Sequence, residues 1–265
     1  MAQIITITNQ KGGVGKTTIS SALICGLHQR GARVLGVDID PQGNLGFTLG
    51  LDADNIKTLY DVFTGACTVE GSISHTPYGD VIPSDIMLSS FDVMFTAPHR
   101  EFLLSQYLDA VKSQYDFIVI DTPPSLNILT INAYVASTGL IIPMESEILS
   151  LVGVSQILET VEAVRSSFNP HLRVLGILMN RFDSRTKLSR EVLEMAEEVA
   201  SQMDSHVFPV HIRRGVDVAR APAYGQSVLS YRPKAKPSLD LANFVDIIAG
   251  DQFRSNPSAN TISKE

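Results

Sequence analysis

Short runs rich in Val and Ile recur along the chain at residues 4–8, 34–37, 117–120, 140–143 and 174–179. Runs this short and this apolar predict strands buried on both faces, as in a parallel sheet. Between them, residues 16–29, 100–113, 149–167 and 187–203 carry apolar side chains at three- and four-residue spacing, which predicts helices that each bury one face. Alternation of the two predicts an α/β fold: a doubly wound, mostly parallel sheet with helices on both faces. Residues 52–98 are less regular and predict short helices plus an edge strand near 80–83. Residues 1–250 are expected to form one domain, and the polar stretch 251–265 a frayed C-terminal tail.

The chain has 265 residues and is 44% hydrophobic, enough for one substantial core. Its net charge of −7 argues against general coating of nucleic acid. The charge is uneven, however: from Arg165 to Asp240, Lys and Arg number 12 against 8 Asp and Glu, so a local basic face is open to the fold. Cys25 and Cys67 have no metal-site or disulfide spacing, which points to a reducing compartment. The N-terminus has no secretory pattern, so export is not expected, and no run approaches the ~18 apolar residues that a spanning helix needs.

The strongest chemical signal is Asn9-Gln10-Lys11-Gly12-Gly13-Val14-Gly15-Lys16-Thr17-Thr18, placed between the first strand and the first helix. Gly12, Gly13 and Gly15 let main-chain N–H groups wrap phosphate oxygens around Val14, and the helix N-terminus adds partial positive charge near Thr18. Lys16 is suited to the β- and γ-phosphates, and the Thr17 hydroxyl to magnesium. A glycine-rich turn with incidental lysines is the bland alternative, and the flanking strand and helix weigh against it.

Two carboxylate clusters end apolar strands, Asp38-Ile39-Asp40-Pro41 and Ile120-Asp121-Thr122-Pro123-Pro124. Strand ends of this kind lie on the sheet edge that carries the phosphate loop. Asp121 reads as the carboxylate that holds magnesium through water, so Thr17, Asp40 and Asp121 are the expected metal-facing residues. Asp38 is expected on the opposite face, as a structural residue or at the rim of the site.

Lys11 together with residues 12–18 resembles the deviant Walker A motif of the ParA and MinD ATPases. Over residues 4–248 the chain resembles the ParA/Soj partition ATPases. The resemblance is carried further by Pro143-Met144-Glu145-Ser146-Glu147, Leu151-Val152-Gly153, Asp183-Ser184-Arg185-Thr186 and Ala221-Pro222-Ala223-Tyr224-Gly225-Gln226. It implies ATP and Mg2+ as cofactors, with Lys11, Lys16 and Asp40 as catalytic residues. Lys11 would enter a partner subunit's nucleotide in an ATP-bound homodimer, and Asp40 would position the attacking water. It further implies weak intrinsic hydrolysis and sequence-independent DNA binding by the dimer. Release would come through a ParB-like centromere-binding or adaptor protein, at a cytoplasmic, nucleoid-associated location.

The same resemblance favours adenine, with Asn180 and Arg213 near the base. Asn180-Arg181-Phe182-Asp183 superficially matches a guanine reader whose lysine has been replaced. Arg185, Lys187, Arg213, Arg214 and Arg220 are the expected DNA contacts. Asp217 stands where many relatives of the family carry a basic residue, which implies a patch either displaced toward Arg213, Arg214 and Arg220 or weakened. Larger members carry an N-terminal helix-turn-helix; with ten residues before Lys11, operator binding through such an extension is not expected.

Two other readings remain open. A MinD-like membrane switch needs a basic amphipathic C-terminal helix, whereas residues 239–253 hold acids and no Lys or Arg. That segment is therefore expected to pack inward, with no stable membrane association. A metabolic ATPase of the amide-forming or reductase kind is the other reading. Cluster-bearing reductases need paired interface cysteines, and Cys25 and Cys67 are not placed for that.

Overall fold

A computed structural model of the chain describes residues 2–52, 56–251 and 253, so the expected tail lies almost wholly outside the described residues. The strands are β1 (Gln3–Ile7), β2 (Val34–Asp38), β3 (Ser74–Thr76), β4 (Gly79–Ile82), β5 (Phe117–Asp121), β6 (Gly139–Glu145) and β7 (Arg173–Asn180). They form one sheet in the order β3-β4-β2-β5-β1-β6-β7. Every pairing is parallel except β3 with β4. The strand foreseen near residue 80 is β4, which lies parallel to β2, and the sheet edge is the additional β3. With only Ser-His-Thr, β3 is too short and too polar for a hydrophobic pattern to reveal it.

The helices are α1 (Lys16–Gln29), α2 (Asn44–Thr48), α3 (Leu59–Phe63), α4 (Phe91–Met94), α5 (Leu103–Val111), α6 (Ile128–Ala136), α7 (Ile148–Ser167), α8 (Lys187–Gln202), α9 (Val216–Arg220), α10 (Val228–Tyr231) and α11 (Lys236–Ala249). The helix expected over 100–113 is α5 flanked by tight 3₁₀ turns at Arg100–Phe102 and Lys112–Gln114.

Alternation along the strands supplies two cores. Ile4, Ile118 and Ile120 face one layer with Leu108, Ala133, Ile157 and Val192 from α5, α6, α7 and α8. Their neighbours Ile5, Ile7 and Val119 face the other with Leu23, Leu229 and Phe244 from α1, α10 and α11. Each fully buried Leu, Ile or Phe contributes about 1.5–3 kcal/mol.

The inward packing expected for residues 239–253 takes a specific form: α11 docks on α1. A Cβ at Gly26 would lie 2.7 Å from Val245 Cγ2, so the two helices meet at a glycine. Arg30 donates to Asp246 at 2.8 Å and to the Ala242 carbonyl at 3.0 Å, and Phe244 meets Phe208 edge-on at 5.0 Å. Among the described residues no helix is long and apolar enough to cross a membrane.

Because β1, β2, β5, β6 and β7 run parallel, their C-terminal ends share one edge. Register pairs Ile7 with Asp121 and Asp38 with Asp121 there.

Candidate active site at the strand ends

The loop from β1 into α1 turns through Gly13 (φ 80°) and Gly15 (φ 96°), a left-handed region that a side chain strains. Among the described residues a Cβ on Gly12 or Gly13 would meet nothing within 4 Å, and both glycines line an open cleft. Gly15 is enclosed instead: a Cβ there would fall 2.4 Å from Asn180 Nδ2. That amide donates to the Val14 carbonyl at 2.6 Å, so the end of β7 braces the loop.

Asn9 holds the other side. Its amide donates to the Pro143 carbonyl at 2.7 Å, and its Oδ1 accepts the Lys11 N–H at 2.9 Å. Lys16 Nζ donates to the carbonyls of Asn9 (2.9 Å) and Lys11 (3.3 Å), which curls it over the loop mouth. Burial lowers its pKa, and the charges of Asp121 and Asp40 partly offset that.

A cleft of about 370 Å³ opens here. Gly12, Gly13, Gly15, Lys16, Thr17 and Thr18 line one side, and Asp40, Gln42, Asn44 and Pro124 the other. A larger cleft of about 660 Å³ lies at the opposite sheet edge, against Gln3, Thr138 and Arg173, away from all these groups. Size therefore does not locate the chemistry; the convergence of glycines, lysine and carboxylates does.

Asp121 is fully buried. Its Oδ1 accepts from Ser20 at 2.9 Å, while Oδ2 has no hydrogen-bond partner among the described residues. Burial pushes its pKa up to about 6, against the pull of the Thr17 and Ser20 hydroxyls and the Lys16 charge. A buried carboxylate oxygen without a donor, beside a Thr hydroxyl and an open phosphate-sized loop, fits magnesium with a nucleotide. With one carboxylate and one hydroxyl as protein donors, the fit is to a cation shared with phosphates.

The expectation for Asp38 needs correction. Registered partners on adjacent strands share a face, and Asp38 is paired with Asp121; both carboxylates are on one side of the sheet. Asp38 is fully buried and accepts the N–H groups of Asp40 (3.0 Å) and Leu45 (2.9 Å). Its pKa is pushed well up by burial and by Asp121. Asp38 thus fixes both ends of the loop that carries Asp40. That loop closes through Gln42 N–H to Asp40 Oδ1 and Gly43 N–H to the Asp40 carbonyl, each at 3.0 Å.

Lys11 points elsewhere. Its Nζ pairs with Glu147, the residue before α7, and both side chains remain partly exposed. Arg181, in left-handed backbone, pairs with Glu145 at 2.8 Å beside it. Ser20, Asn9 and Glu147 were given no role in the site, and Asp38 only a structural one or a place at its rim. An Asp-x-Asp at a strand end was the one usable signal, for Asp38.

The expected basic residues differ in what they hold. Arg185 clamps Asp183 through two bonds of 2.9 and 2.7 Å, and Lys187 meets Glu191 at 3.0 Å. Arg213 forks onto Asp240 of α11 at 2.8 and 2.7 Å. Arg214 and Arg220 are exposed and make no ion pair among the described residues. A bridge between Phe182 and Arg213 brings the two basic segments side by side, and Asp217 lies in the first turn of α9 between Arg214 and Arg220.

A sequence family described as an AAA domain matches residues 2–174. Sporulation initiation inhibitor protein Soj of Bacillus subtilis (strain 168) is 42% identical over 252 residues, covering 92% of this chain and 98% of Soj. Chromosome partitioning protein ParA of Myxococcus xanthus (strain DK1622) is 38% identical, covering 89% of this chain and 84% of that protein. The crystal structure of cobyrinic acid a,c-diamide synthase from Mycobacterium smegmatis, with an ATP analogue and magnesium bound, superposes with a TM-score of 0.82 at 34% identity. It covers 94% of each chain.

Proposed function

Given that this chain belongs to the ParA/Soj family of P-loop partition ATPases, we propose that ATP joins two copies into a dimer that holds DNA, and that partner-stimulated hydrolysis releases it. The observation that carries the reading is the divergence of two lysines from one loop. Lys16 curls over its own loop mouth, whereas Lys11 reaches the surface at Glu147, where a second chain has access to it.

In this reading residues 1–250 act as one ATPase domain. Gly12, Gly13, Val14, Gly15 and Thr18 present main-chain donors to phosphates, Lys16 neutralises them, and Thr17 with Asp121 faces the metal. Magnesium bound with ATP supplies charge neutralisation at the terminal phosphate. Asp40 orients water, held in place by Asp38, and Lys11 adds charge from the partner copy.

Asn180 acts as a brace of the loop, since its amide is committed to Val14 and its Oδ1 to the Arg181 N–H at 2.9 Å. A guanine reader of this pattern has a lysine where Arg181 stands, and Arg181 is paired with Glu145, which supports adenine. Arg214 and Arg220, flanked by Arg185, Lys187 and Arg213, suit phosphate oxygens without base readout. The setting is then the cytoplasm, on the nucleoid, with a ParB-like partner as activator and a plasmid, chromosome or other assembly as cargo.

Retention on DNA, measured with ATP, ADP and no nucleotide, tests the reading: binding is expected with ATP alone. Equal retention in all states would remove the switch. In the MinD-like alternative, anionic liposomes would sediment the ATP form; α11 docked by Arg30 and Phe244 speaks against it. Small-molecule amidation without DNA stimulation would favour the metabolic reading instead.

A further inference from the structure

The helix after the Asp40 loop and the turn after the basic segment meet backbone to backbone. Gly50 follows α2 in left-handed conformation (φ 78°), and Gly225 follows the 3₁₀ turn Ala221–Tyr224 in the same region (φ 61°). A Cβ on Gly50 would sit 2.8 Å from the Gly225 carbonyl oxygen, and a Cβ on Gly225 would sit 2.8 Å from the Gly50 Cα. Neither position admits a side chain without moving backbone. Leu45 and Leu49 on one side and Ala221 on the other belong to one buried cluster.

The two sides of the contact lead to different places. On one side Asp38 fixes the Asp40 and Leu45 N–H groups, and Gly50 N–H bonds back to the Phe47 carbonyl at 3.1 Å, so the contact is a short rigid step from the cleft. On the other side lies the segment 213–225, anchored at its start by Arg213 on Asp240 and at its end by Gly225 on Gly50. Arg214 and Arg220 are exposed between these anchors. The second anchor touches the end of α2, whose Asn44 lines the cleft, whereas the first is bridged to Phe182, after the strand that braces the phosphate loop.

We propose that the Gly50–Gly225 contact is the clasp through which the nucleotide at the Asp40 loop sets the position of the segment carrying Arg214 and Arg220. A contact between two main chains with no side chain to yield transmits displacement directly: when α2 moves with the Asp40 loop, the 216–225 segment moves with it. This rests on the proposed function for the meaning of the basic segment, but the mechanical claim stands apart from DNA.

The test is therefore run without DNA. Amide hydrogen exchange of peptides spanning 216–226 is compared in the full chain with magnesium and either ADP or a non-hydrolysable ATP analogue. A second probe is the emission of Tyr224→Trp, in a chain without tryptophan and at a residue that is 65% exposed and stacked on Tyr231; it is expected to differ between the two nucleotide states, and equal emission counts against the clasp. The wild-type chain is expected to show a nucleotide-dependent difference of about tenfold in exchange, falling to about twofold in Gly50→Ala and in Gly225→Ala while both still bind nucleotide. Identical exchange in the two nucleotide states of the wild type overturns the clasp, even where neither variant folds. So does a wild-type response that survives in either variant. Failure of the wild type to bind DNA in any state would instead sink the DNA reading, which the exchange experiment does not use.

Discussion

Lys11 is ion-paired to Glu147 of its own chain, at the residue that precedes α7. The lysine that a nucleotide-bridged dimer must send outward is thus neutralised at home, and Glu147 in turn is held below the usual carboxylate range by Lys11. Glu147→Gln removes this competing partner. It is expected to raise the dimer fraction at limiting ATP analogue, and only severalfold, because both side chains are partly exposed and exposed pairs are weak. Sedimentation velocity across an analogue titration reads this. A fall in the dimer fraction would mean that Glu147 serves the assembled state.

Lys16 and Asp40 separate binding from hydrolysis. Lys16→Ala is expected to cost nucleotide affinity by about 3 kcal/mol, roughly a hundredfold, since it removes a buried charged donor aimed at phosphate. Asp40→Ala should keep nucleotide binding while hydrolysis drops by about a hundredfold or more. Calorimetry and phosphate release measure the two, and wild-type turnover in Asp40→Ala would take that residue out of the mechanism.

The nucleotide-free protein should pay in stability for Asp121. Its pKa is raised by burial to about 6, above the ordinary value of 3.8, so between these values the folded state holds more protons than the unfolded. Stability contributed by this group is therefore highest in acid and declines as pH rises from about 4 to about 6, remaining low above that. Asp121→Asn is expected to stabilise the nucleotide-free chain at pH 7.5 by about 2 kcal/mol, several degrees in Tm, while abolishing magnesium-dependent hydrolysis. Thermal melts at pH 4.5 and 7.5, with and without Mg-ATP, check this; a lower Tm for the variant at pH 7.5 contradicts it.

The arginines should fall into two kinds. Arg214→Ala and Arg220→Ala leave Tm unchanged but weaken DNA retention uniformly across sequences and flatten its salt dependence. Arg213→Ala should lower Tm, because it takes the guanidinium from the buried Asp240 carboxylate and leaves it the main-chain N–H of residue 213 at 3.0 Å. Filter binding across a salt series, alongside melts of each variant, separates them. Equal effects from all three would erase the distinction.

What the sequence disclosed follows from interaction range. The phosphate loop is contiguous, so its glycines and lysines could be read together, and Val- and Ile-rich runs marked the central strands within a residue or two. Asp40 and Asp121 were visible because strand ends announce themselves. Asp38 was placed on the wrong face because its neighbourhood depends on the register of β2 against β5, strands far apart in the chain. Glu147, Ser20 and the Arg213–Asp240 fork were hidden for the same reason: each pairs with a residue that only the fold brings near. The edge strand β3 lacked any hydrophobic pattern to read.

In the proposed switch, nucleotide joins two copies through Lys11. The most direct measurement is the mass of Asp40→Ala by multi-angle light scattering in saturating ATP and magnesium, beside the same variant with Lys11→Ala added. The account predicts a dimer for the first and a monomer for the second. A monomer in the first, or an undiminished dimer in the second, would contradict it.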